Sequence, residues 1–290
     1  MASLLCFICG GNQFRRIFTK GQREFLKCDQ CSLVRQFPLP TPRELEKVYE
    51  DEYLETGMGR ARADEEDMTR GTARFRLNIV QRYSPGERWL EVGCASGAFL
   101  EEASKAGFAV EGIDISKTAV QTVVAKGFKA YTATIDTFCQ PSPYDVVVGF
   151  DVIEHMTDPV SGLQSMYRTL KPGGLLVLTT PDTHSLVCRI MRRHWYFYIP
   201  EKHLFYFNRF NLANLLRRMK FEVLEVSRAR KALNYNYSLV QFQAYNPLIF
   251  QLWKCLGPVL RSSWDQHSFS LYIGELMIVA QKQQEQGRIS

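Results

Sequence analysis

The chain has 290 residues, 46% of them hydrophobic, and a formal net charge of +6. This length fits one large domain with a small addition, and the apolar content is ample for a buried core. No apolar run reaches the ~20 residues that span a bilayer, residues 1–10 lack a secretory signal pattern, and four of the eight cysteines are scattered, so we expect a reducing, cytoplasmic location.

Two Cys-x-x-Cys pairs lie near the start of the chain, Cys6 with Cys9 and Cys28 with Cys31, with eighteen residues between the pairs. Together they can offer four thiolates in the tetrahedron that zinc prefers. A segment of about 35 residues cannot bury enough surface to fold alone, so we expect a ribbon stabilised by structural zinc. A redox role for one pair is an alternative. The ribbon could serve as a nucleic-acid reader or, in the interpretation we favour, as a structural or substrate-covering cap.

The segment 37–42 is rich in proline and marks the boundary after the ribbon. Beyond it, residues 56–70 are polar and predict a mobile loop. We divide the chain into a zinc ribbon (1–38), a linker and cap helix (39–70), an α/β domain (71–282, with insertions at about 185–207 and 231–270) and a tail (283–290).

The stretch 89–100 predicts a strand, a tight turn of small residues and a helix from about Phe99 to Ala106. Gly93 and Gly97 can take backbone angles closed to other residues and let a ligand lie against the backbone. The first amide groups of the helix would point at that ligand. Such turns also occur where a helix and a strand merely pack closely.

A second short strand ends at Asp114, 17 residues after Gly97. In doubly wound folds, an acid at this place hydrogen-bonds both ribose hydroxyls of a nucleoside. The apolar runs 146–150 and 175–179 predict buried parallel strands, the second entered through a tight turn at 171–174.

Four motifs occur in the order of one known family. They are Glu91-x-Gly93-x-x-x-Gly97, then 112–116 (GIDIS), then 144–155 (YDVVVGFDVIEH), then 170–178 (LKPGGLLVL). Together they resemble class I S-adenosylmethionine-dependent methyltransferases, with Ala95 where many members have a third glycine. The resemblance implies a Rossmann-like, seven-stranded α/β sheet.

The resemblance also implies ten residues that contact the cofactor, S-adenosylmethionine: Glu91, Gly93, Ala95, Gly97, Asp114, Ile115, Ile135, Asp136, Phe150 and Asp151. Asp136 could border the adenine or equally cap the next helix. Tyr49 and Tyr53, on one helical face, could close the pocket or simply pack. His155 could tie its loop together or act as a base.

The segment 185–207 is rich in aromatic residues and arginine, and we interpret it as a roof over the acceptor site. Its Pro-x-x-His-x-x-x-Phe pattern at 200–207 resembles ubiquinone-pathway O-methyltransferases and sugar C-methyltransferases. That resemblance makes His203 a candidate base or substrate orienter, with a fixed structural histidine as the alternative. The His-Glu-His of the sugar enzymes is Glu-Lys-His here, which argues against sugar C-methylation.

Positive charge is concentrated between Asp182 and Lys231, with eleven Lys/Arg against four Asp/Glu. This segment could be a solvated face or could meet an anionic or sugar-containing acceptor, RNA or acidic lipid. The apolar stretch 248–260 could pack on the sheet or contact lipid or a partner subunit. The Asn/Asp-Pro-Pro-aromatic motif of nucleobase-amine methyltransferases is absent after 150.

Two functions follow from these patterns. The first is an O- or C-methyltransferase acting on a small-molecule, sugar, glycolipid or quinol-like acceptor. The second is an RNA methyltransferase or a zinc-ribbon adaptor that binds nucleic acid. The sequence favours the first and leaves the oligomeric state open.

Overall fold

The computed structural model describes residues 4–41, 44–45, 63–83, 86–233, 251 and 269–284. The predictions made for Tyr49 and Tyr53, for the apolar stretch 248–260 and for the tail from 285 lie outside the described residues.

Eleven strands and six helices are assigned within the described part of the chain. In chain order the strands are β1 (Phe14–Lys20), β2 (Arg23–Cys28), β3 (Val34–Phe37), β4 (Arg88–Val92), β5 (Ala109–Asp114), β6 (Lys129–Thr132), β7 (Tyr144–Phe150), β8 (Leu170–Pro181), β9 (Phe205–Tyr206), β10 (Phe221–Leu233) and β11 (Phe269–Lys282). The helices are α1 (Ala63–Gln81), α2 (Ala98–Lys105), α3 (Lys117–Ala125), α4 (Pro159–Thr169), α5 (Leu186–Met191) and α6 (Arg209–Arg218).

The larger sheet has seven strands in the described residues, in the order β10-β11-β8-β7-β4-β5-β6. Strands β4 to β8 run parallel, and β11 is antiparallel to both β8 and β10. The carboxyl ends of the parallel strands on both sides of β4 meet at one edge, where open α/β sheets bind ligands. The predicted seven-stranded α/β sheet is confirmed.

The central strands are apolar because they are covered on both faces. Val146, Val147 and Val148 of β7 are all fully buried. Val147 packs in one hydrophobic cluster, while Val146 and Val148 pack in another. Alternate side chains of a strand point to opposite faces, so the two clusters are the two sides of the sheet.

Local sequence signals fix where the helices begin. Ser116 caps α3 through the Ala119 amide, and Asp158 caps α4 with Pro159 at its first position. Asn208 and Asn211 form a capping box at the start of α6. The first two caps follow β5 and β7, so the loops before α3 and α4 lie at the carboxyl edge of the larger sheet.

Several boundaries differ from the predictions. Residues 63–70, expected to be a mobile loop, form the first turns of α1. The expected tight turn at 171–174 is an irregular part of β8, since β7 pairs with Leu170 before it and with Leu175 after it. The sequence also predicts strands over 221–226 and 275–280. The observed β10 and β11 extend to Leu233 and back to Phe269, because they pair with each other along that length.

A second sheet of four strands has the order β1-β2-β3-β9. Three strands come from the cysteine-rich ribbon, and the fourth, β9, comes from the segment 185–207. Cys28 and Leu33 share a hydrophobic cluster with Phe205 and Phe207. The ribbon and this segment are therefore parts of one packed unit.

Within the described residues, no helix combines the length and hydropathy that crossing a bilayer requires.

Candidate active site

The turn between β4 and α2 has the backbone conformation that its small residues predict. Gly93 and Gly97 have φ of 74° and 78°, the left-handed region that favours glycine. A Cβ on Gly93 would lie 2.6 Å from Cγ2 of Val152. Ala95 adopts φ of 45°, so the position where many family members have glycine keeps a similar turn here without it.

Asp114 at the end of β5 holds this turn. Its Oδ2 accepts a hydrogen bond from the Ala95 amide at 3.0 Å, and its Oδ1 accepts one from the Ser116 amide at 2.9 Å. Burial raises the pKa of Asp114, while the bonds from these two amides act in the opposite direction. Each carboxylate oxygen keeps acceptor capacity for a ligand hydroxyl. The next residue, Ile115, is 52% exposed.

A cavity of about 490 Å³ opens beside the turn. Its lining comes from α1, the β4–α2 turn, the end of β7 and the end of β10. The residues are Met68, Thr69, Thr72, Ala73, Arg76, Glu91, Gly93, Cys94, Ala95, Ser96, Ala98, Phe99, Phe150, Asp151, Lys231, Ala232 and Leu233. A small ligand can therefore contact both the glycine turn and β10.

Two lining residues, Glu91 and Arg76, each have a buried polar atom without a hydrogen-bond partner. Glu91 is buried, and its Oε2 has no hydrogen-bond partner. Burial raises the pKa of Glu91 well above its ordinary value, Arg76 lowers it and Asp114 raises it further. Arg76 donates to Asp151 Oδ2 at 2.6 Å, lies 4.6 Å from the centre of the Phe150 ring, and leaves its buried Nε unpaired.

Asp151 follows β7 with φ of 58° and lies in a cluster of charges, in which Glu275 is fully buried while Asp151 and Lys231 are partly buried. Lys231 Nζ is 3.2 Å from Asp151 Oδ2 and 2.5 Å from Glu275 Oε1. Although burial would raise it, the cations of Lys231 and Arg76 hold the pKa of Asp151 well below its usual range. Burial and then the charge of Asp151 raise the pKa of Glu275 to about 7.

His203 lies in the segment 185–207 and is only 6% exposed. Its Nδ1 is 2.8 Å from the Phe197 carbonyl, and its ring meets that of His155 edge-on at 4.7 Å. A nitrogen of each histidine and an oxygen of Glu154 all lie within 4.8 Å of one another. Burial, and then the nearby His155, lower the pKa of His203 well below its ordinary value. His203 is not among the residues that line the cavity.

The loop after β6 places the last two predicted cofactor residues. Ile135 is buried, and Asp136 is exposed. Asp136 Oδ1 accepts hydrogen bonds from Ser161 Oγ at 2.9 Å and Ser165 Oγ at 2.7 Å. Asp158, not Asp136, caps α4, so Asp136 joins the loop to the side of that helix.

The four ribbon cysteines converge as their spacing predicts. The sulfurs of Cys6 and Cys31 are 3.5 Å apart, those of Cys9 and Cys28 are 3.6 Å apart, and all four lie within 4.8 Å of one another. Four sulfurs at about 2.3 Å from a tetrahedral zinc would be separated by about 3.8 Å. The donor set and its spacing fit zinc.

The sequence of the core domain has recognisable relatives. A family model described as a methyltransferase domain matches residues 62–226, more than half of the chain. The chain belongs to this methyltransferase family. The motif resemblance is thereby confirmed.

Individual relatives agree with this assignment. The ubiquinone biosynthesis O-methyltransferase of Ralstonia nicotianae is 31% identical over 116 residues, which are 37% of this chain and 49% of that protein. The chain spans about half the length of the first curated relatives it matches.

Solved structures show the same fold at low sequence identity. The Burkholderia thailandensis 1,6-didemethyltoxoflavin-N1-methyltransferase, solved with 1,6-didemethyltoxoflavin and S-adenosylhomocysteine, has a TM-score of 0.53 at 13% identity and covers 93% of this chain and 99% of that chain. A SAM-dependent methyltransferase of Thermotoga maritima has a TM-score of 0.52 at 16% identity and covers 84% and 100%.

The methyltransferase cavity includes two cations that the sequence motifs did not reveal, Arg76 and Lys231. Arg76 occupies a polar position of α1, and Lys231 lies beyond the predicted end of its strand. The local signal for Arg76 was its place directly after Phe75, an apolar position of the predicted helix. Nothing local distinguishes Lys231 from its neighbours Arg228 and Arg230.

Proposed function

We propose that this methyltransferase transfers a methyl group from S-adenosylmethionine to a hydroxyl oxygen of a small, quinol-like acceptor. The observation that carries the proposal is the placement of Asp114. Its carboxylate, at the carboxyl end of β5, accepts a hydrogen bond from the amide of Ala95; Ala95 lines the cavity of about 490 Å³, and Asp114 holds it from outside the lining. That is the arrangement by which doubly wound folds hold a nucleoside.

Unpaired groups in the cavity support a methionine end at the β4–α2 turn. The free Oε2 of Glu91 can accept from an ammonium group, and Arg76 can donate to a carboxylate. Gly93 and Gly97 allow the ligand close to the backbone, where a side chain on Gly93 would meet Val152.

The adenosyl end would lie across the exposed face of Ile115, with Asp114 holding the ribose. Ile135 and Asp136 are then candidates for the adenine edge, since the loop that carries them is tied to β5 by a hydrogen bond from the Ala133 amide to the Asp114 carbonyl. Phe150 and Asp151 line the cavity and contact Arg76, so they are candidates for the methionine end.

The bound sulfonium supplies an electrophilic methyl group, so the protein needs to align the acceptor oxygen with it and accept one proton. In this proposal His203 positions the roof and does not touch the reacting atoms. Its burial, its bond to the Phe197 carbonyl and its place outside the cavity lining support that role.

The acceptor class is argued from chemistry and from relatives. The loop after β7 lacks the motif that grips a nucleobase amine, and curated relatives are named ubiquinone biosynthesis O-methyltransferases. The first argues against a nucleobase amine as acceptor, and the second favours a hydroxyl oxygen. An anionic or sugar-containing acceptor and cytoplasmic location remain parts of the proposal.

Zinc in the ribbon is a further part of the proposal. Cys6, Cys9, Cys28 and Cys31 would hold it, because their four sulfurs already cluster at nearly tetrahedral distances. Its role would be structural, since no open ligand position is needed for methyl transfer.

Peripheral contact with a membrane is the proposed partner interaction. Leu186 and Ile190 of α5 are 63% and 71% exposed, and Phe210 at the start of α6 is 64% exposed. Arg189 and Arg192 lie beside them in the chain, and apolar side chains flanked by arginine suit an anionic lipid interface. Cosedimentation with phosphatidylglycerol vesicles tests this contact; Leu186→Ser with Ile190→Ser should abolish it.

Two measurements test the proposed function. Calorimetry should show binding of S-adenosylhomocysteine at one site per chain, and absence of binding would reject the cofactor assignment. Transfer of labelled methyl from S-adenosylmethionine into fractions of a cell extract should then label an organic-soluble small molecule. Label in RNA would instead support the nucleic-acid alternative, which the basic segment 182–231 favours.

A further inference from the structure

We propose that Lys231 contacts the acceptor oxygen and, with Glu275 behind it, takes up the proton that this oxygen loses on methylation. The inference rests on the proposed function, because it assigns a role within the same cavity. It concerns a different part of that cavity from the glycine turn and Asp114, so the two can be tested separately.

Lys231 comes from β10, which three strands separate from β4 and its glycine turn in the order of the larger sheet. The lining there is Lys231, Ala232 and Leu233 of β10. The Ala232 amide donates to Thr72 Oγ1 at 3.0 Å, which fastens α1 against this part of β10. With the methionine end at Glu91 and Gly93, the space before Lys231 is where an acceptor would lie.

The ammonium group of Lys231 is fixed but not saturated by the contacts described. It meets Asp151 Oδ2 at 3.2 Å and Glu275 Oε1 at 2.5 Å, and it lies 5.6 Å from the centre of the Phe197 ring. An ammonium carries three N–H donors, and two carboxylates use two of them. The third is available to an oxygen in the cavity.

Arg76, the other cation of the cavity lining, is less suited to the acceptor. Its guanidinium is held by Asp151 at 2.6 Å and lies over the Phe150 ring. It also adjoins Glu91, at the proposed methionine end. Lys231 is therefore the cation that remains for the acceptor among the described lining residues.

Glu275 is built to receive a proton near neutral pH. It is 1% exposed, and apart from the ion pair with Lys231 its oxygens have no hydrogen-bond partner. Burial and Asp151 raise its pKa to about 7. The titratable and charged groups that face it are Lys231 on β10, Arg76 on α1, Asp151 and Glu154 after β7, and Tyr196 after α5.

Proton transfer accompanies methyl transfer, and both balance in atoms and electrons. The acceptor hydroxyl gives its proton to Lys231 while Lys231 passes one of its own to the carboxylate of Glu275. The acceptor oxygen forms the new O–CH₃ bond as the S–CH₃ bond breaks. The electron pair of the broken bond stays on sulfur, so the sulfonium becomes a neutral thioether. After the product leaves, Glu275 returns the proton through Lys231 to water that enters the cavity.

A chromophoric phenol tests the contact directly. With S-adenosylhomocysteine bound, the protein is titrated with 4-nitrocatechol, whose absorbance reports its ionisation. We expect the wild type to bind the ionised form and lower the apparent pKa of the bound probe by about one unit. Lys231→Met should lose this shift and at least tenfold of probe affinity, while Lys231→Arg keeps the shift.

Matched controls separate this result from other failures. Arg230→Met, on the exposed neighbouring position of β10, should bind the probe as the wild type does. Lys231→Met should bind S-adenosylhomocysteine within threefold of the wild type. If the wild type does not bind S-adenosylhomocysteine, the cofactor assignment is overturned. If the wild type binds S-adenosylhomocysteine but the bound probe does not ionise, only the role of Lys231 is overturned.

Glu275→Gln is the second variant. It tests the proton relay even if Lys231→Met does not fold. We expect kcat for catechol methylation to fall at least tenfold with KM within threefold. The rise of the wild-type rate as pH increases through neutrality should also disappear, because only ionised Glu275 can accept a proton. A rate and pH profile of Glu275→Gln equal to those of the wild type would overturn the relay.

Discussion

Asp114 combines a structural and a proposed binding role in one side chain. Its two oxygens hold the amides of Ala95 and Ser116, and they would also accept from the ribose hydroxyls. Asp114→Asn replaces one acceptor oxygen by a donor and removes the charge. We expect S-adenosylhomocysteine affinity to fall about 10- to 100-fold, as the loss of charged hydrogen bonds implies.

Calorimetry measures that affinity, and Glu222→Gln provides the control because Glu222 is an exposed carboxylate on β10. Equal affinity of Asp114→Asn and the wild type would remove Asp114 from the proposed site.

Gly93 and Gly107 provide a matched pair for the glycine turn. Both have positive φ, 74° and 93°, but a Cβ would lie 2.6 Å from Val152 at Gly93 and meet nothing within 4 Å at Gly107. Gly107→Ala should cost about 1 kcal/mol from backbone strain alone. Gly93→Ala should cost a further ~1–3 kcal/mol from overpacking and should also weaken S-adenosylhomocysteine binding.

Urea unfolding measures the two losses of stability. Equal losses of unfolding free energy at both positions would show that the Val152 side chain moves aside without destabilising the protein.

Glu154 should make the protein less stable as pH rises. It is fully buried, neither of its oxygens makes a well-formed hydrogen bond, and burial and then Asp151 raise its pKa well above 4.5. Below pH 4.5 it is protonated in both folded and unfolded chains. Above that, only the unfolded chain ionises freely, so stability is lost until the folded pKa is passed.

The variant Glu154→Gln removes this dependence. At pH 8 it should be more stable than the wild type by about 1–3 kcal/mol, and near pH 5 the difference should shrink. Urea unfolding at the two pH values measures it; a difference that grows toward pH 5 would contradict the assignment.

At the scale of elements, the ribbon depends on its pairing with β9. Val34 pairs with Tyr206 and Arg35 with Phe205, Gln36 Nε2 donates to the His203 carbonyl at 2.7 Å, and Arg218 donates to the carbonyl of Ile8. Loss of the proposed zinc should loosen β1 to β3 and therefore β9 and the roof near His203.

Hydrogen exchange after chelation tests this coupling. Peptides over 203–207 should lose protection, while peptides over β4 (Arg88–Val92) should keep it. Cys28→Ser should behave like chelation, and Cys139→Ser, at an exposed cysteine outside the cluster, should behave like the wild type. Unchanged protection of 203–207 in metal-free protein would show that the roof does not need the ribbon.

Elements with a strong local signal could be predicted from the sequence. The apolar runs of β7 and β8 and the glycine turn are explained by residues within a few positions. Strand β9 could not be predicted, because it has only two residues and its partner β3 lies about 170 positions earlier. Lys231 was missed for the same reason, since its partners Asp151 and Glu275 come from distant strands.

At the scale of the whole molecule, the net charge of +6 bears on the choice between the two candidate functions. A small-molecule methyltransferase should bind RNA only non-specifically, with a Kd weaker than about 1 µM at physiological salt. Fluorescence anisotropy with a labelled RNA at several salt concentrations measures this. Submicromolar binding that persists at high salt would favour the nucleic-acid alternative.

The same charge is spread unevenly along the chain. The segment 182–231 carries a local excess of cations, and it includes the exposed Arg189 of α5 and the partly buried Lys231 of β10. A single basic segment therefore contributes both to the surface and to the cavity, which sequence composition alone could not separate.

The strand that completes the small sheet also sets an order of events during synthesis. The ribosome has to add roughly 170 residues after β3 before β9 exists, which takes roughly 10–30 s at ~5–20 residues per second. For that time the growing chain offers the edge of β3 to any other strand. We expect nascent chains stopped before residue 205 to associate with chaperones, and chains released beyond 207 to escape them.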